Sequence, residues 1–244
     1  MFEATFYNPY NQKKSMNALK NLLNLLFPTA CKGCASQLFS YETTICLRCQ
    51  HELPLTNHLA NPENETFKKF YGKLAVEHAS SVVYFHKKGI VQQLIHHLKY
   101  KGAQDVGHFF GTLYASSAKE DLILKTVDQI IPVPLHPKKL QERGYNQVTT
   151  FGASLAQGLN VPMNETLLER KRYSKTQTQK NIFGRSELST ALFDVRFSEN
   201  EHGKHFLLVD DVITTGATLE ACGKALLKIP GAKISVVTIA YAHS

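Results

Sequence analysis

The chain has 244 residues, 43% of them hydrophobic, with 28 Lys and Arg against 20 Asp and Glu for a net charge of +8. That length suits one full domain plus a small appended module, with enough apolar residues for a packed core. No run approaches the roughly 20 apolar residues of a membrane span. The N-terminal MFEATFYNPYNQKK lacks the order of a signal peptide, so a soluble, cytoplasmic protein is expected. The positive excess gathers at Lys138, Lys139 and Arg143, and again from Arg170 to Arg185. It favours phosphate-bearing partners, nucleotide or nucleic acid, and serves solubility equally well.

Residues 1–28 read as an N-terminal segment with an amphipathic helix. Leu19, Leu22, Leu23 and Leu26 recur at helical spacing, Ser15 suits the N-cap, and Pro28 ends the run. Residues 29–53 hold four of the five cysteines, as Cys31-x2-Cys34 and Cys46-x2-Cys49. Two such knuckles offer four thiolates to one tetrahedral zinc ion, a closed set that leaves no place for water and is therefore structural. Gly33 gives the first knuckle turn freedom, and His51 beside a complete ligand set reads as surface. The fifth cysteine, Cys222, falls among small residues of a helix and reads as core. Residues 54–73 are polar, with Asn and Pro, and read as a linker.

From residue 74 to 244 strands and helices alternate. Strands are expected at Ser80–Phe85, Gln129–Val133, Leu167–Arg172, His205–Asp210 and Lys233–Tyr241. Helices are expected at Ile90–Lys99, Gln104–Ala118, Gln147–Gly158 and Thr218–Lys228. This alternation predicts an α/β fold with a parallel sheet and helices on both faces. Ligands of such sheets bind beyond the carboxyl ends of the strands, so functional loops are expected after Val133, Arg172 and Val209.

The most distinctive of these is HFLLVDDVITTGAT, His205–Thr218. An apolar run suited to a buried strand ends at Asp210 and Asp211. Val212, Ile213, Thr214, Thr215, Gly216, Ala217 and Thr218 then lead into a helix. A helix N-terminus directs free N–H groups at a phosphate, glycine lets the backbone approach, and hydroxyls add donors. Acids at the strand end suit sugar hydroxyls, so the loop fits a ribose 5-phosphate. Neither GxxxxGK[ST] nor a GxGxxG after a strand occurs, which argues against a P-loop and a dinucleotide fold.

DDVITTGAT resembles the loop of type I phosphoribosyltransferases that binds phosphoribosyl pyrophosphate (PRPP). Together with the cysteine ribbon, LIHHLKYKG (Leu94–Gly102), IPVPLHPKKLQERGYNQ (Ile131–Gln147) and KTQTQK (Lys175–Lys180), it resembles the competence protein F family, ComF or ComFC. One departure is that family members carry an asparagine five residues before a phenylalanine, where this chain has Leu188 before Phe193. The resemblance implies a type I phosphoribosyltransferase fold with a small N-terminal zinc ribbon. Asp210 and Asp211 would hold the PRPP ribose and Mg²⁺, and residues 212–218 the 5-phosphate. Lys138, Lys139 and Arg143 would lie on a loop that meets pyrophosphate. Lys175, Thr176, Gln177, Lys180 and Arg185 would lie on a mobile hood. The implied chemistry is displacement of pyrophosphate from C1 of PRPP, with Mg²⁺ on the leaving group; no residue is assigned as catalytic base. The family's link to natural transformation also implies single-stranded DNA or competence-machinery partners. A non-catalytic DNA-handling protein that uses PRPP as ligand or signal is the alternative.

Overall fold

The computed structural model describes residues 29–171 and 192–243, divided between two units, Met1–Glu52 and Leu53–Ser244. The helix expected within residues 1–28 and the expected hood residues Lys175 to Arg185 lie outside the described residues. In the first unit the cysteine knuckles lead into one short helix, α1 (Leu47–His51). His51 is exposed, as expected.

The second unit runs α2 (Glu65–Lys68), β1 (His78–Phe85), α3 (Ile90–Tyr100), α4 (Gln104–Ala118), β2 (Gln129–Pro132), α5 (Pro137–Arg143), α6 (Thr149–Leu159), β3 (Leu168–Arg170), β4 (Phe193–Val195), β5 (His205–Ile213), α7 (Ala217–Leu226) and β6 (Lys233–Ala242), besides 3-10 turns. β1, β6, β5 and β2 form one parallel sheet in that order. Its centre is the apolar run Phe206–Val209, fully buried as a strand covered on both faces must be. Side chains alternate between faces. Phe206 and Leu208 join the core cluster with Leu219, Cys222 and Leu226 of α7. On the opposite face Gly152 of α6 sits against Val209 and Ile130. α4 and α6 cross so closely that a Cβ on Gly107 or Gly111 would meet Thr150 or Ser154 side-chain atoms at 2.1 and 2.5 Å. Among the described residues no helix is long and apolar enough to cross a membrane.

Three expectations need correction. Leu167–Arg172 was expected within the parallel sheet, but β3 pairs antiparallel with β4 in a separate two-stranded sheet. The reason is charge. Glu169 pairs with Arg196 at 3.0 Å and Lys171 with Asp194 at 3.0 Å, and such residues cannot be covered on both faces. The segment after Val133 was expected as a loop, but it forms α5. His136 caps it by accepting from the Lys138 N–H at 3.2 Å, Pro137 stands at its first turn, and Gly144 ends it at φ 76°.

Residues 54–73, read as a linker, pack on β1 within the second unit. Three of their polar residues, His58, Asn64 and Thr66, are buried and paired. Asn64 Nδ2 donates to the Ala79 carbonyl at 2.8 Å, and its Oδ1 accepts from the Phe67 N–H at 3.0 Å. A chain of side chains joins Glu65 to His58 (2.9 Å), His58 to Thr66 (3.2 Å), Thr66 to Ser81 (2.8 Å) and Ser81 to Thr238 (2.7 Å). Two more buried imidazoles are satisfied the same way, His78 with Ser80 at 2.9 Å and His205 with Ser235 at 2.8 Å.

Burial holds the His58, His78 and His205 imidazoles below their ordinary range, His78 at about 4. The fold therefore favours the neutral ring. Its contribution is fully present above the unfolded value of 6.5 and is lost as pH falls from there toward about 4. Urea midpoints should drop between pH 7 and pH 5, and His78→Gln should flatten that drop. A slope unchanged by the substitution would remove His78 from the explanation.

Candidate functional site

β5 runs through both acids to Ile213, beyond the strand end expected at Asp210. Alternation sends the two carboxylates to opposite faces. Asp210 shares the α7 face with Phe206 and Leu208 and is half-buried, with its Oδ1 accepting from the Asp211 N–H at 2.8 Å. Desolvation, then the adjacent Asp211 carboxylate, pushes Asp210 up to about 7.

Asp211 is buried on the other face. Its Oδ1 lies 3.0 Å from Lys99 Nζ at the end of α3, and its Oδ2 accepts from Gln147 Nε2 at 2.7 Å. Gln147 Oε1 accepts from Arg143 Nη1 at 2.7 Å, and that guanidinium stands 5.2 Å from the Tyr100 ring centre. Two further bonds fix the connecting turn. The Tyr145 hydroxyl donates to the Leu98 carbonyl, and Asn146 Nδ2 donates to the Val133 carbonyl at 3.0 Å.

Past Ile213 the chain turns through Thr214, Thr215 and Gly216 into α7. Gly216 holds φ 81°, a left-handed conformation that a side chain would strain. Thr215 Oγ1 accepts from the Ala217 N–H at 3.4 Å. Thr214, Thr215, Ala217 and Thr218 are exposed, and with Asp210 and Gly216 they line a mostly polar cleft of about 50 Å³. The first amides of a helix have no partner within it and can serve an anion there. Ile213 is core, so its side chain serves the sheet. Of the three cations expected near the site, Arg143 is tied to Asp211 through Gln147, while Lys138 and Lys139 stand exposed on α5.

In the first unit the sulfurs of Cys31, Cys34, Cys46 and Cys49 all lie within 4.8 Å of one another. Cys34 and Cys46 sulfurs are 3.7 Å apart, and a tetrahedral ion with bonds of about 2.3 Å sets its sulfurs about 3.8 Å apart. The backbone turns as metal knuckles require, with Gly33 N–H and Cys46 N–H directed at Cys31 Sγ at 3.4 and 3.3 Å. The Ser36 hydroxyl holds the Cys34 thiol down at about 6, while burial pushes Cys49 up. Four thiolates cannot crowd there without a cation, so the donor set fits a metal such as zinc.

The Phosphoribosyl transferase domain family matches residues 149–244. The chain is 27% identical over 226 residues to Competence protein F of Haemophilus influenzae, covering 88% of this chain and 98% of the relative. It is 26% identical over 213 residues to Competence protein ComFC of Bacillus subtilis, covering 86% and 82%. The chain is similar along most of its length to these competence proteins, and its C-terminal part matches a phosphoribosyl transferase domain. The DNA utilization protein YhgH of Escherichia coli O157:H7 is 28% identical over 146 residues, covering 59% of this chain and 63% of the relative. Among solved structures, adenine phosphoribosyltransferase from Saccharomyces cerevisiae shares 20% identity at a TM-score of 0.34, covering 57% of this chain and 69% of that one.

Sequence reasoning missed Lys99 and Gln147. The available signal was polarity out of place. Gln147 directly precedes the buried Val148, and Lys99 follows the buried Leu98. Elemental analysis of protein purified with zinc should find one ion per chain, and Cys46→Ser should bring it well below one. A full complement in the variant would contradict the four-sulfur site.

Proposed function

We propose that this chain binds PRPP with magnesium at the carboxyl end of β5, and a structural zinc ion in its cysteine cluster. The observation that carries the reading is the cleft at the start of α7, which sets exposed hydroxyls and helix amides beside a half-buried carboxylate. The amides and threonine hydroxyls at 214–218 take the 5-phosphate. Asp210 accepts from ribose hydroxyls or holds the cation, and Arg143, with Lys138 and Lys139, provides positive charge for the pyrophosphate. Magnesium held by Asp210 together with the ligand would supply positive charge to the pyrophosphate oxygens. This chain's own residues orient the ribose and hold Asp210 away from bulk water, where an electrostatic contact is stronger than in solution. Relatives named for competence and DNA utilization support DNA uptake or use as the setting in which the ligand is read.

The Asp210 position near 7 gives the proposal a pH signature. A bound cation favours the ionised carboxylate, so affinity should rise as pH passes upward through about 7. Calorimetry is expected to show PRPP binding that requires Mg²⁺. Asp210→Asn should weaken it about 10- to 150-fold, the value of one charged hydrogen bond. A folded wild-type chain that takes up no PRPP in the presence of Mg²⁺ contradicts the proposal.

A further inference from the structure

Asp210 and Asp211 are neighbours in sequence but not in surroundings. Both oxygens of Asp211 are engaged, one by the Lys99 ammonium at 3.0 Å and one by the Gln147 amide at 2.7 Å. Its side chain is 7% exposed and that of Lys99 22%, so neither is readily turned outward. Asp210 instead lines the cleft with Thr214, Thr215 and Gly216. A site for a polyanion gains nothing from a second uncompensated carboxylate beside the first. Like charges this close oppose each other and repel the ligand.

We propose that Lys99 is the positioning residue of the PRPP site: its ammonium neutralises and pins Asp211, so that Asp210 alone presents a carboxylate to the ligand. This rests on the PRPP reading above. The same helix end reaches the candidate pyrophosphate cation. Tyr100, next to Lys99, lies under the Arg143 guanidinium at 5.2 Å, and Arg143 donates to Gln147 at 2.7 Å. The contacts close a ring, from α3 through Asp211 and Gln147 to Arg143 and back to α3. The acid on β5 and the cation on α5 are thereby held in one fixed relation by the end of α3. Lys99 acts through Asp211 and does not itself touch the ligand.

The test is PRPP titration with Mg²⁺ on the full chain, with thermal unfolding recorded for each variant. Lys99→Met leaves Asp211 charged and unpaired, and should weaken PRPP at least about tenfold. Lys99→Arg keeps the charge and should recover affinity to within about threefold of wild type. The decisive variant is Lys99→Met/Asp211→Asn. It removes both charges together, avoids the lone buried charge that can unfold the single variant, and leaves Gln147 an oxygen to donate to. It is expected to bind about tenfold more tightly than Lys99→Met. If the single variant does not fold, the double variant is compared with wild type and should lie within about tenfold of it. A folded double variant as weak as Lys99→Met, or more than about 100-fold weaker than wild type, overturns the proposal. It would assign direct ligand contact to Lys99 or Asp211. Absence of PRPP binding by the wild-type chain brings down the PRPP reading and the positioning role together. Wild-type binding with failed suppression brings down the positioning role alone.

Discussion

A strand buried on both faces that carries two adjacent aspartates near its carboxyl end must dispose of two charges in one place. β5 does so by its pleat, which sends Asp210 and Asp211 to opposite sides of the sheet. Asp211 meets a cation and an amide, from Lys99 and Gln147. That pairing requires the end of α3 and the turn at 144–148 to come together. Tyr145 and Asn146 secure the turn by hydrogen bonds to the backbone of Leu98 and Val133. Among the described residues no cation forms an ion pair with Asp210 as Lys99 does with Asp211. The desolvated Asp210 carboxyl sits near 7, a condition that a bound cation relieves. The site is thus asymmetric by construction: one acid spent on architecture, one available.

Much of the fold was legible because it depends on local periodicity. The apolar run Phe206–Val209, the α4 span Gln104–Ala118 and the long β6 follow directly from residue pattern. The errors share a cause. β3 has one buried residue and two charged ones, and only its pairing with β4 explains the pattern, which periodicity alone does not show. α5 carries Pro137 and Gly144 at the positions that start and stop a helix, but its lack of buried residues hid it. The segment 54–73 looked like a linker because, apart from Phe70 and Phe67 at the apolar core, much of what it buries is polar. His58, Asn64 and Thr66 are buried through hydrogen bonds rather than apolar area.

The candidate sites show the same division. Four cysteines in two knuckles were readable because their ligand geometry is set within a few residues. The threonine-glycine turn was readable because a helix start and a strand end adjoin in sequence. Lys99 and Gln147 reach Asp211 from distant parts of the chain, and no spacing rule connects them. Their roles appear only once α3, α5 and β5 are placed side by side. The ring they complete brings an expected residue, Arg143, into relation with the acid, through an amide that composition gave no reason to notice.

The most direct measurement is an experimental structure of the full chain with PRPP and Mg²⁺ bound. The expected result places the 5-phosphate against the amides at 214–218 and Asp210 toward the ribose or the metal, with Asp211 still paired to Lys99. Ligand bound away from this turn, with the turn itself empty, would contradict the assignment of PRPP binding to the carboxyl end of β5.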